Sequence, residues 1–221
     1  MAKITDTEIE GVYVIEPEVF GDERGYFMES FNTRVLRESG KAMMLDFVQD
    51  NESRSIGNVV RGFHFQAPPY AQAKLVRCAK GAVYDMALDI RKGSPTYGKM
   101  VCVMLSGENH KQLYIPAGFA HAFMTIGYDT VFQYKCNCYY NKESEGGVQF
   151  MDFALPFPEE IKGKMMSVRY NRSIKDIEFP KLADFDSPFK YGTSLVDKAY
   201  LQTVGAELIG LDIKKDEQND V

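Results

Sequence analysis

Between residues 10 and 140 the chain alternates short β-type apolar runs with turn signals. The runs are 11–15, 47–49, 59–60, 74–78, 82–90, 99–105, 112–115 and 131–139. Gly21-Asp22, Pro68-Pro69, Lys80-Gly81, Gly93-Ser94-Pro95, Ser106-Gly107 and Pro116-Ala117-Gly118 separate them. Many short strands at this spacing predict an antiparallel, mainly all-β sandwich or barrel. One short helix is expected over 33–39, with Asn32 as its N-cap and Gly40 just past its end. Residues 141–190 are looser. They carry Gly146-Gly147 and prolines at 156, 158 and 180, and read as loops and short helical turns covering the barrel. Farther on, Val196, Tyr200, Val204, Leu208 and Leu211 recur three or four apart, which predicts an extra amphipathic helix over 194–211 with Ser194 as its cap. The charged residues 214–221 read as a frayed end. The expected division is a core domain over 1–190 and a helical extension with a charged tail over 191–221.

Alternation within the strands sorts side chains by face. In the last run Phe132, Tyr134, Cys136 and Cys138 share the apolar face, so Tyr134 is expected to point inward. Lys74 shares a face with Val76 and Cys78. If those point inward, so does Lys74, and an interior ammonium needs a partner or a wet cavity. Asp85 falls with Ala87 and Asp89. An interior holding a His, a Lys, a Tyr and an Asp is a polar pocket rather than a dry core. The pattern also allows Lys74 outside the barrel and Asp85 as a surface carboxylate. Two of the three histidines, His64 and His121, lie in apolar strand-like surroundings.

The composition narrows the partners. With a net charge of -5, 45% hydrophobic and 26% charged residues, the 221-residue chain is globular and has no long basic run to attract nucleic acid. An anionic ligand would need a few local cations. Arg24, in Asp22-Glu23-Arg24-Gly25, and Arg61 offer guanidiniums, and Gln49-Asp50-Asn51 offers amides, a set that suits a diphosphate. No window approaches the roughly 20 apolar residues of a membrane span, and the polar start lacks the apolar stretch of a secretory signal, so a cytoplasmic protein is expected. Cys78, Cys102, Cys136 and Cys138 form no C-x-x-C pair and match no zinc-ligand spacing. They read as buried reduced thiols, with no metal expected.

Seven segments in order carry a family resemblance: Gly21-Asp-Glu-Arg-Gly25, Phe47-Val-Gln-Asp-Asn51, Arg61-Gly-Phe-His-Phe-Gln66, Gln72-Ala-Lys-Leu-Val-Arg-Cys78, Asp89-Ile-Arg-Lys-Gly-Ser-Pro-Thr96, Ile115-Pro-Ala-Gly-Phe-Ala-His121 and Tyr134-Lys-Cys-Asn-Cys-Tyr-Tyr140. The chain resembles the dTDP-4-dehydrorhamnose 3,5-epimerases, sugar-nucleotide enzymes of the cupin class. The likeness runs from about residue 10 to 147 and thins to about 182. It implies a double-stranded antiparallel β-helix, or jelly roll, working as a homodimer without metal or other cofactor. The implied reaction inverts carbons 3 and 5 of dTDP-4-dehydro-6-deoxy-D-glucose. By matching position, His64 resembles the general base and Tyr134 the general acid. Lys74 resembles the group at the 4-keto oxygen, and Asp176 the carboxylate that orients the base. Arg24, Glu29, Gln49, Asp50, Asn51, Arg61, His121, Glu145 and Lys175 match substrate contacts. Tyr140 matches the aromatic stacked on thymine, and Phe27 lies beside the same nucleotide groove.

The chain departs from the family pattern in places. Met100 stands where the family usually has Trp, residues 152–158 replace an Asp-Trp-Pro stretch, and the spacing from Tyr134 to Asp176 is several residues longer. Asp85 is therefore a second candidate carboxylate near either histidine. Other readings are a 3-epimerase or an epimerase of a related nucleotide sugar, a metal cupin oxygenase using His64, His121 and a carboxylate, and a non-catalytic sugar-binding cupin.

Overall fold

Eleven strands and three helices run in order through the described residues, 2–192, of this computed structural model. The helix expected over 194–211 and the charged end lie outside them. The elements are β1 (Lys3–Asp6), β2 (Tyr13–Glu16), β3 (Val19–Asp22), β4 (Gly25–Met28), α1 (Thr33–Glu38), β5 (Gln49–Ile56), β6 (Val60–Gln66) and β7 (Lys74–Asp89). They continue with β8 (Met100–Ser106), β9 (Gln112–Ile115), β10 (Phe119–Cys136), β11 (Glu145–Gly147), α2 (Glu159–Ser167) and α3 (Ile174–Glu178). Helix α1 forms where the cap signal placed it. The Asn32 side chain accepts from the Arg34 and Val35 amides, which would otherwise be left unbonded at the helix start.

Two long strands organise the rest. Residues 74–77 of β7 pair with β9, and residues 82–88 pair with β8. Residues 131–136 of β10 lie beside the first half of β7, and residues 119–126 lie beside its second half. Each strand thus serves two layers. One layer reads β1-β2-β9-β7-β10-β5, and the other reads β8-β7-β10-β6-β11. All these pairings are antiparallel, and the result is a jelly roll whose sheet is not closed into a barrel. The turn between layers needs Gly81, at φ 75°, because a Cβ there would stand 2.7 Å from the Asp129 carbonyl oxygen. Val76, Leu105, Leu113, Phe119, Phe123 and Phe132 fill the space between the layers. A second apolar cluster covers the outer face of β6, β7 and β10, where Phe63, Met86 and Leu88 meet Phe150, Phe157 and Ile161. Residues 141–190 form the cover that their composition suggested, with loops, α2, α3 and two single 3-10 turns, except that 145–147 join the sheet as β11.

The differences from the sequence pattern have physical reasons. The runs 74–78 and 82–90 are one strand, and 131–139 marks only the second half of β10. Their glycine-marked bends read as breaks in the sequence. Strand β5 extends through the polar residues Asp50–Arg54 because its inner face borders a wet cleft rather than a core. The hairpin β3–β4 is exposed along nearly its whole length, so no apolar alternation marks it.

Gly62 sits at φ 115° where β6 passes closest to β10, and a Cβ there would lie 2.4 Å from the His121 carbonyl oxygen. Gly62→Ala should lower the unfolding free energy by about 1–3 kcal/mol, through backbone strain and overpacking together. Urea denaturation measures this, and a variant as stable as the parent would show that the two strands have room to part.

Candidate active site

Alternation along β6 sends Phe63 and Phe65 into the outer core and turns His64 inward. Arg61 from the same strand, Lys74 from β7, and His121 and Tyr134 from β10 face the same space. Glu145 from β11 closes one side, and the segment Asn171, Arg172, Ser173, Lys175 and Asp176 closes another. Together they line a cleft of about 430 Å³. An adjoining hollow of about 400 Å³ shares His64, Lys74, Tyr134, Glu145 and Lys175, and adds Gln49, Asn51 and Tyr140.

Two histidine–carboxylate pairs lie side by side at the cleft. His64 Nε2 is 2.7 Å from Asp176 Oδ1, although 112 residues separate them in sequence. Asp176 is buried in the first turn of α3, whose cap Ser173 accepts from the Asp176 amide. Burial works against the Asp176 carboxylate, yet the hydrogen bond and charge of His64, with Ser173, hold its pKa below the usual value. The longer spacing after Tyr134 therefore still brings Asp176 to His64. His121, the register partner of His64 on the neighbouring strand, bonds instead to Asp85, with Nε2 2.9 Å from Oδ2. Burial pushes the His121 pKa down, against the pull of Asp85. Both carboxylate partners of the histidines are thus accounted for.

Lys74 is half-buried, and its ammonium lies 5.9 Å from the centre of the Tyr134 ring. Among the described residues it has no salt bridge and no hydrogen bond. Burial lowers its pKa, and Cys136, Asp85 and Glu145 oppose that shift. Burial raises the Tyr134 pKa, so the phenol keeps its proton through the neutral range. Strand alternation placed both side chains inward, and they are inward.

The adjoining hollow has its own network. The Tyr140 hydroxyl donates to Glu145 at 3.2 Å, and its amide donates to Gln49 Oε1 at 3.0 Å. Gln49 Nε2 donates to Asn51 Oδ1, and Asn51 Nδ2 lies 3.7 Å from the Cys136 sulfur. Burial resists ionisation of Glu145, but the Lys175 ammonium paired with it holds its pKa low. The Tyr140 ring is 53% exposed, free to receive a flat partner.

Four residues singled out in the sequence do not reach this cleft. The Asp50 side chain lies on the opposite face of β5, with Lys135 Nζ 2.9 Å away. Arg24, Phe27 and Glu29 belong to the projecting hairpin and the stretch after it. Arg24 pairs with Asp22, Phe27 is 67% exposed, and Glu29 accepts from Asn32. The second guanidinium in the cleft is Arg172, beside Arg61, and it was not picked out in the sequence because no motif surrounds it. Ser53 on the inner face of β5 was missed for the same reason. Among the described residues no three His, Cys, Asp or Glu side chains gather as a metal-binding group.

The dTDP-4-dehydrorhamnose 3,5-epimerase family model matches residues 6–184. The dTDP-4-dehydrorhamnose 3,5-epimerase of Shigella flexneri is 47% identical over 183 residues, which is 83% of this chain and 97% of that protein. A crystal structure of dTDP-6-deoxy-D-glucose-3,5-epimerase from Legionella pneumophila, in complex with dTDP-4-keto-L-rhamnose, is 40% identical with a TM-score of 0.76. It covers 87% of this chain and all (100%) of that one. The enzyme from Bacillus anthracis, with TDP and PPi bound, is 38% identical with a TM-score of 0.75, covering 82% and 99%.

The Asp176 pKa gives a stability signature. A carboxylate whose pKa is lowered in the folded state stabilises the fold above its unfolded value of 3.8 and loses that contribution as the pH falls through the folded value. Asp176→Asn should therefore cost about 1–2 kcal/mol at pH 7, and the gap to the parent should close as the pH drops below 3.8. Chemical denaturation across pH 2–7 checks this (roughly the range over which carboxylates titrate), and a gap that stayed constant would remove the bond's energetic role.

Proposed function

This chain belongs to the dTDP-4-dehydrorhamnose 3,5-epimerase family, and on that premise we propose how its residues divide the work. The substrate is dTDP-4-dehydro-6-deoxy-D-glucose, and the product, inverted at carbons 3 and 5, is dTDP-4-dehydro-L-rhamnose. The observation that carries this reading is the meeting of the His64–Asp176 pair, the Tyr134 phenol and the Lys74 ammonium in one cleft.

A C–H bond beside a ketone is weakly acidic, and losing its proton places negative charge on the keto oxygen. Lys74 faces that oxygen. Its ammonium interacts more strongly with the developing enolate than with the neutral ketone, so it lowers the barrier selectively. His64 takes the proton. With Nε2–H held by Asp176, Nδ1 keeps the lone pair that a general base needs. Tyr134 returns a proton from the other face of the ring, and the carbon is inverted. His64 then releases its proton to solvent and Tyr134 regains one from solvent, and the same sequence at the second carbon completes the reaction. Arg61 and Arg172 answer the diphosphate, Tyr140 stacks on the thymine, and Gln49, Asn51, Glu145, Lys175 and His121 hold the remaining polar groups.

Two copies of the chain complete the site on this reading. The hairpin β3–β4 turns Phe20, Tyr26 and Phe27 to solvent, and Arg24, Phe27 and Glu29 are absent from the cleft of their own chain. Large exposed aromatics on a projecting hairpin suit a docking element. In a homodimer each hairpin delivers these residues, and the backbone beside Asp50 receives them. The reduced thiols Cys78, Cys102 and Cys136 agree with work in the cytoplasm. No helix among the described residues is long and apolar enough to cross a membrane.

Incubation of the purified protein with the ketosugar nucleotide in deuterated water, read by proton NMR, tests the assignment. The L-rhamno product should appear with deuterium at both carbons. His64→Asn should lower turnover by about 10²–10⁴-fold, and Tyr134→Phe should lose at least one inversion. Inversion at carbon 3 alone would make the protein a mono-epimerase, and full exchange by His64→Asn would remove His64 as the base.

A further inference from the structure

Asp85 is the one fully buried acid at the cleft that the family pattern gave no role. It is 0% exposed on the inner face of β7. Its Oδ2 holds His121, and its Oδ1 has no hydrogen-bond partner among the described residues. An ionised oxygen left bare in the interior is unfavourable unless a positive charge lies close.

The groups facing Lys74 show which charge that is. They are Asp85 on its own strand, His121, Tyr134 and Cys136 on β10, His64 on β6 and Glu145 on β11. Burial pushes the Cys136 thiol up to about 11, so it is uncharged near neutrality, as is the Tyr134 phenol. Glu145 is engaged by Lys175, and Asp176, behind His64, is bonded to that ring. Among the described residues Asp85 is left with no Lys or Arg ion pair, and Lys74 has no ion-pair partner of its own.

We propose that Asp85 is a positioning residue for the epimerisation: from behind the cleft it holds the His121 ring with Nε2–H turned inward, and it supplies the countercharge that keeps Lys74 an ammonium. The two tasks can share one carboxylate because only one of its oxygens, Oδ2, is used by a hydrogen bond. Oδ2 fixes the tautomer, so His121 presents Nδ1 as an acceptor for a sugar hydroxyl. The same carboxylate acts through its charge on Lys74, opposing the effect of burial on the ammonium. This rests on the functional reading above, which the parent enzyme tests separately in the same experiment.

The test is the pH dependence of turnover for the parent and for Asp85→Asn. The alkaline limb, which reports loss of the Lys74 proton, should move down by about 1 pH unit or more in the variant. Turnover at neutral pH should fall by roughly tenfold or more, with KM changed far less. A folded Asp85→Asn enzyme with an unmoved alkaline limb would overturn the inference, and an inactive parent would instead overturn the functional reading. NMR of the parent enzyme needs no variant and covers the case in which Asp85→Asn does not fold. At neutral pH the Asp85 carboxyl carbon should report an ionised group, and His121 should carry its proton on Nε2. A neutral Asp85, or a proton on His121 Nδ1, contradicts the inference.

Discussion

Doubling β7 and β10 back across two layers puts ionisable groups where a sandwich would normally hold hydrocarbon. Lys74 and Asp85 stand on the two halves of one bent strand, and Tyr134 and His121 on the two halves of the other. Below them the space is dry. The His121 ring lies over Phe132, which stacks on Phe123 at 4.3 Å. Above them it is open. The ammonium, the two imidazoles and the phenol therefore sit at the boundary between an apolar floor and a wet cleft, where charges interact more strongly than in water. His64, His121 and Glu145 each have a charged partner at this boundary, whereas Lys74 and Tyr134 face the cleft.

The two histidines show how environment divides identical side chains. His64 is a quarter exposed and backed by a carboxylate on a short helix, and it faces the cleft. His121 is nearly closed off, backed by a carboxylate from the sheet, and burial pushes its pKa down. The proposed division of labour follows this contrast, with the enclosed ring as a hydrogen-bonding group and the more open ring as the base. The helix that carries Asp176 also carries Lys175, so one turn of backbone anchors both the base and the Glu145–Lys175–Tyr140 corner. The fold thereby couples the cleft to the adjoining hollow.

Strand alternation in the sequence was enough to send Lys74 and Tyr134 inward and to group Asp85 with Ala87, because period-two placement holds wherever a strand stays regular. It failed at the bends. Gly81 reads as the end of a strand, so β7 was seen in two pieces, and the first half of β10 was not read as a strand, so the register that sets His121 beside His64 was not visible. Asp50 illustrates the limit of a motif. It stands between two residues that face the cleft, and for that reason its own side chain faces the other way. The hairpin left no apolar signature because it has no core of its own. The pairing of His64 with Asp176 was implied only by the family resemblance, and which histidine Asp85 serves was left open, since both contacts span long separations that only the fold closes.

The account turns on an interior ammonium that polarises the keto group. Binding substrate labelled with carbon-13 at position 4 to the slowed His64→Asn protein allows the carbonyl stretch to be read by infrared difference spectroscopy before turnover. The band should lie at lower frequency than in water, and adding Lys74→Met should return it toward the solution value. A band that does not move on binding would contradict the account.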